Sequence, residues 1–332
     1  MARSGINRID GLLEGDAAMS LIGPADPDRE SVGAVQDLLR GHGHRLPSII
    51  ASDYGQFGNR TTNAIREFRQ ANSLPPSGLV DQALLRSLIQ TPASDPVASQ
   101  PYLTLALDQE WKGITRVLLL TSILEGMGKF GALNLNTDKA GLSYGLIQWA
   151  QKPGRLTDIL VAYRDADNAE FVRIFGGGDA TVAANLIRHT SKPRGGLDPL
   201  TGFSLDPAFD LVAPVWSVRF SEAARNRQYQ LGQIDTARKA FERSLATLRT
   251  YAPEITSERG VAFMLDLANQ YGDAGARSIF EATRRPGQSQ AEHRQAMAGE
   301  SVRRIVDQFK VGVRNRRQMF LDTPLFGEVD LA

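Results

Sequence analysis

Residues 121–151 read TSILEGMGKFGALNLNTDKAGLSYGLIQWAQ, and the way this stretch begins decides the fold. Just upstream the chain runs GITRVLLLTSIL over 113–124, apolar on nearly every face, which predicts a buried helix. Gly126 and Gly128 suit its C-terminal stop. Glu125 is thereby carried to the rim of the core instead of out onto a solvated face. Apolar surroundings and the negative end of the helix both disfavour its ionised form. A carboxyl that keeps its proton near neutrality can serve as a general acid.

The loop that follows holds a second carboxyl of the opposite kind. Asp138 lies between Thr137 and Lys139 in a polar, glycine-containing segment, where a carboxylate is expected to be solvated and charged. One carboxyl pushed toward neutrality and one left ionised is the division of labour that glycoside hydrolysis requires. Ser143 is placed to hold the attacking water beside Asp138. Tyr144, Gln148, Trp149 and Arg155 are candidates to line a sugar cleft, because aromatic faces stack on sugar rings; for Trp149, core packing is the equal alternative. Asp266 and Asn269 fall on the core helix pattern VAFMLDLANQYG. A buried aspartate there needs a partner, an arginine suiting best, and its expected role is structural.

The whole chain sets the frame for these residues. Its 332 residues, 42% hydrophobic, suggest two domains. The balance of 38 basic against 37 acidic residues argues against a charge-driven nucleic-acid role. Without cysteine there are no disulfides or thiolate metal sites. His42 and His44 in GHGHR read as a solvated loop more than a metal site, and no cofactor is implied. VLLLTSIL at 117–124 falls well short of the ~20 apolar residues that span a bilayer. The opening MARSGINRIDGLLEGDAAMSL lacks the apolar core of a secretory signal, so synthesis in the cytoplasm is expected.

Residues 1–30 carry little visible periodicity and read as an irregular lead-in. From 31 to 91 three short helices are predicted. The first, VGAVQDLLRGHG, puts Val32, Val35, Leu38 and Leu39 on one face. The second, TTNAIREFRQANSL, turns Ala64, Ile65 and Phe68 inward, with Thr61 or Thr62 as its cap. The third, GLVDQALLRSLI, starts near Asp81 and buries Leu84, Leu85 and Leu88. TPASDPVASQP, beginning at Thr91, has linker composition, and 92–104 is assigned to the tether. Beyond it, 105–332 is helical in pattern, with strand character only around 142–149.

Two resemblances follow from these residues. YGQFGNRT, AIREFRQANSL and the SGLVD turn agree in order and spacing with the three-helix peptidoglycan-binding domain found beside many cell-wall hydrolases. That resemblance implies peptidoglycan as partner and a shallow groove at Tyr54, Gln56, Phe57 and Asn59. LEGMG…TDKAGLSYGLIQW resembles the lysozyme superfamily, and SYGLIQ is similar to the S-x-GLMQ element of lytic transglycosylases. Asp138, Gly141 and Ser143 match the chitosanase order of aspartate, glycine and threonine. Residues 110–275 loosely resemble family 46 chitosanases. The chain departs from them at Ala140, where an arginine is usual, and in its shorter glutamate–aspartate loop. The fold class expected is mainly α: a small three-helix bundle plus an α-helical, lysozyme-like domain with at most a small β element. The resemblance implies a peptidoglycan hydrolase, an endolysin or secreted effector, with Glu125 as acid and Asp138 as base. A chitosanase, a lytic transglycosylase and a non-catalytic wall-binding or virion protein are the alternatives.

Overall fold

The structure, a computed structural model, describes residues 6–47, 51–91, 114–126, 128–323 and 326–330. Its N-terminal unit is a helical bundle of α1 (Asn7–Glu14), α2 (Arg29–Gly41), α3 (Asn59–Ala71) and α4 (Gln82–Gln90). The inward faces of α2, α3 and α4 are those the apolar spacing predicts, and all of those residues are buried. Asp81 caps α4, accepting from the Leu84 N–H at 2.8 Å. The same carboxylate pairs with Arg69, a fully buried guanidinium that also donates to the Pro75 and Leu79 carbonyls. One aspartate thus both starts α4 and anchors the loop that delivers it.

Three expectations are corrected here. Within 6–30 the segment is not the irregular lead-in expected: Ile6, the cap of α1, and Ile9, Leu12 and Leu13 on it recur at helical spacing and are buried, and α1 packs against α4. Ile22 bridges Val80, and Arg8 holds Asp26 with two hydrogen bonds, so the segment closes the bundle. Second, α3 begins at Asn59 with Gly58 as cap; Thr61 is buried and accepts from Gln36 instead. Third, GHGHR is not merely solvated. The His42 ring stands edge-on to Phe68 and its Nε2 contacts the Leu88 carbonyl, while His44 meets Glu67 at 3.3 Å. The linker assigned to 92–104 lies outside the described residues.

Helices dominate the C-terminal unit: α5 (Ile114–Gly126), α6 (Arg155–Ala166), α7 (Asn168–Gly176), α8 (Ala180–Thr190), α9 (Pro214–Ala223), α10 (Arg227–Tyr251), α11 (Glu258–Thr283), α12 (Gln290–Arg303) and α13 (Lys310–Asp322). Between α5 and α6 lies a three-stranded antiparallel sheet of β1 (Leu133–Leu135), β2 (Leu142–Tyr144) and β3 (Trp149–Ala150), in the order β1-β2-β3. As its composition requires, α5 is packed on by α10 and α11. An aromatic cluster forms the adjoining core, with Tyr163 stacked on Tyr229 at 4.2 Å and Phe175 and Phe220 beside them. No helix among the described residues is long and apolar enough to cross a membrane.

Candidate active site

Glu125 occupies the last turn of α5, and the sheet abuts the end of that helix. A Cβ on Gly126 would lie 2.9 Å from the Ala132 Cβ and 3.0 Å from the Gly145 carbonyl oxygen. Gly145 itself has φ +80°, and a Cβ there would come within 2.5 Å of Gln233 Oε1. Gln233, buried on α10, accepts from the Leu146 N–H and donates to the Phe130 carbonyl and the Tyr163 hydroxyl. This explains the glycine of SYGLIQ: it lets the β2–β3 turn sit against both the helix end and the glutamine that fixes it.

The Glu125 side chain is 23% exposed, and a guanidinium and an amide meet it in place of the apolar surroundings its helix suggests. Its Oε1 accepts from Asn269 Nδ2 at 3.0 Å and pairs with Arg316 Nη1 at 2.8 Å. Asn269 Oδ1 in turn accepts from Arg155 Nη2 at 3.3 Å. Behind this pair lies Asp266, fully buried, with Arg316 donating to both of its oxygens through Nε and Nη2 and Arg317 sharing Oδ2. Thr121, one turn before Glu125 on the same face of α5, contacts the Asp266 carboxylate at 3.4 Å. Burial alone would raise the Asp266 carboxyl; the two guanidinium groups outweigh it and hold the group below its ordinary value. Burial pulls Arg155 below its ordinary value, against the opposing fields of Glu125 and Asp158. A cation at the first residue of α6 also opposes the helix dipole. Arg155 is therefore held where local energetics disfavour it.

The arginine expected for Asp266 is present twice. Arg316 and Arg317 were not among the sequence-derived candidates, although both come from the run RNRR on α13. Their only sequence signal was that a buried aspartate demands a cation. Asn269, on the same core helix as Asp266, is in direct contact with Glu125.

Asp138 is exposed in the loop joining β1 to β2. It accepts from the Ala140 N–H at 3.2 Å, and the loop is closed by Asn136 bonding Gly141 through both backbone and side chain. Ser143 is nearly buried in the middle of β2, opposite Asn134 and Ala150. Strand alternation turns its side chain away from that of Tyr144. Tyr144 and Trp149 do not line a cleft. Both are fully buried, and the Tyr144 hydroxyl contacts Tyr163 and the Phe220 carbonyl. Gln148 is half-buried at φ +52° and donates to the Ala132 and Gly145 carbonyls, so it braces its own turn. Of the four cleft candidates, Arg155 alone joins the Glu125 cluster.

In the N-terminal bundle, Tyr54 and Phe57 are core residues as well; the Tyr54 hydroxyl donates to buried Asp37 at 2.8 Å. Gln56, on the loop leading into α3, and Asn59, the first residue of that helix, are exposed. Residues 28–88 match the family model of a putative peptidoglycan-binding domain. In this peptidoglycan-binding domain, Gln56 and Asn59 are the expected ligand residues that reach solvent, while α1 lies before the matched segment. No curated protein matches the chain. A solved mutant chitosanase from Bacillus subtilis, complexed with six GlcN, is similar at a TM-score of 0.44 and 11% identity, over 63% of this chain and 85% of its own.

Proposed function

We propose that the chain hydrolyses the β-1,4 bonds of peptidoglycan glycan strands, held to the wall by its N-terminal domain, as an endolysin or secreted effector does. The carrying observation is Glu125, a partly exposed carboxyl at the end of a buried helix, whose polar contacts among the described residues both fall on Oε1. Oε2 is then the oxygen that delivers a proton to the leaving glycosidic oxygen. Charge develops on Glu125 as that proton leaves. Arg316 and Asn269 are already oriented to receive it, and such preorganised stabilisation needs no rearrangement during the reaction. Arg316 and Arg317 share the single charge of Asp266, so the cluster carries an excess positive charge before Glu125 is counted.

Asp138 is the base that activates water for attack on the anomeric carbon. Exposed Lys139 and nearby Lys152 and Arg155 favour a glycan bearing carboxylates over polycationic chitosan. Mass spectrometry of fragments released from purified walls tests the reading. Reducing muramyl ends are expected, with no release from chitosan. Products with 1,6-anhydro ends would mean a lytic transglycosylase, and no release from any glycan would mean a binding protein.

A further inference from the structure

The groups gathered around Glu125 and Asp138 are polar, whereas a pyranose ring presents faces of C–H bonds that gain from leaving water. Beyond the site, one aromatic side chain stands where it can meet such a face. Residues 197–205 form a short hairpin after α8, with Leu197 bridged to Ser204 and the Asp198 N–H donating to the Phe203 carbonyl at 2.8 Å. Asp198 Oδ1 accepts from the backbone of Leu200 and Thr201 and from the Thr201 hydroxyl. At its base, the Ser204 hydroxyl contacts His189 Nε2 at 3.0 Å. The hairpin is thus fixed at both ends.

Its tip rests on the loop that carries Asp138. Asn136 Nδ2 donates to the Thr201 carbonyl at 3.0 Å. Gly202, at φ +73°, lies so close that a Cβ would come within 2.4 Å of Asn136 Oδ1 and 2.7 Å of the Lys139 backbone. Phe203 follows directly, 51% exposed. Leu135, at the end of β1, is also exposed. Phe203 is thus an exposed aromatic residue on a pinned hairpin, one residue from a contact with the neighbour of the proposed base.

We propose that Phe203 is a substrate-binding residue, the apolar platform on which a pyranose ring of the glycan stacks on the Asp138 side of the cleft. The proposal rests on the glycosidase reading above. The hairpin contacts fix the Phe203 backbone before substrate arrives, so little backbone ordering is required on binding.

The test uses the full chain and soluble oligosaccharides prepared from peptidoglycan. Phe203→Ala is expected to raise KM roughly tenfold, the usual scale for truncating an aromatic anchor, with the loss falling on KM and not on kcat. In the Glu125→Gln background, calorimetry should report the same weakening of binding. Phe203→Trp should restore affinity, and its emission should shift when glycan is added. An unchanged melting temperature of Phe203→Ala excludes misfolding, as the side chain is half-exposed. An active wild type whose Phe203→Ala variant keeps its KM and affinity overturns this proposal alone. A wild type that releases no glycan fragment overturns the glycosidase reading, and this proposal with it.

Discussion

At the residue scale, Glu125 is defined by its neighbours as much as by its helix. Asn269 and Arg316 both meet Oε1, and Arg316 keeps its hold on Asp266 whatever stands at 125. Glu125→Gln should therefore leave the fold and melting behaviour nearly unchanged. Because the amide has no proton to give at neutral pH, turnover should drop by about 10²–10⁴-fold, the usual contribution of a general acid. Clearing of wall suspensions within about threefold of wild type, far outside that range, would remove Glu125 from the mechanism. Asp138 makes a different prediction. It caps its own turn through Ala140, a bond that asparagine can retain. Asp138→Asn should abolish release of reducing ends while leaving glycan affinity near normal, since the lost group acts on water only in the transition state. Full activity in that variant would show that the carboxylate is a turn cap and nothing more.

At the element scale, α2 of the peptidoglycan-binding domain carries a buried charge problem. Asp37 faces inward with Tyr54 and Arg40 as partners; burial, opposed by those contacts, pushes its carboxyl up to about 7 from 3.8. Between those values the folded domain holds a proton that the unfolded chain has released. Stability from this group is complete below about pH 4 and is lost as pH rises to about 7. The full change corresponds to roughly 4 kcal/mol at most. Amide exchange in α2 and α3, corrected for intrinsic rates, should report stronger protection at pH 5 than at pH 8. Asp37→Asn should flatten that slope. Equal protection at both pH values in the wild type would mean that Asp37 is ionised throughout.

At the scale of the whole molecule, Arg116 on α5 pairs with Glu30 of the N-terminal unit while also facing Glu258 on α11. Removing residues 1–95 would cost that arginine Glu30 and leave it Glu258. The truncated protein should still cleave short soluble glycans. Its retention on insoluble peptidoglycan should fall, which a pull-down measures. Retention equal to that of the intact chain would mean that the wall contact lies elsewhere.

What the sequence determined by itself was local. Apolar spacing set the inward faces of α2, α3 and α4, and Asp81 marked the start of a helix, because caps and periodicity depend on residues three or four apart. The same rule put Glu125 at the end of a buried helix. Even α1 was written in the spacing of Ile6, Ile9, Leu12 and Leu13, although Arg8 and Asp10 between them masked a stripe only two turns long. Tertiary structure decided the rest. Tyr144 and Trp149 carry no mark that separates a cleft wall from a core; burial by α9, α10 and the turn glycines settles it. Arg316 reaches Glu125 only because α13 packs against α11 and both face the end of α5. Which faces meet is fixed by the packing of whole helices, and no spacing along one segment encodes it.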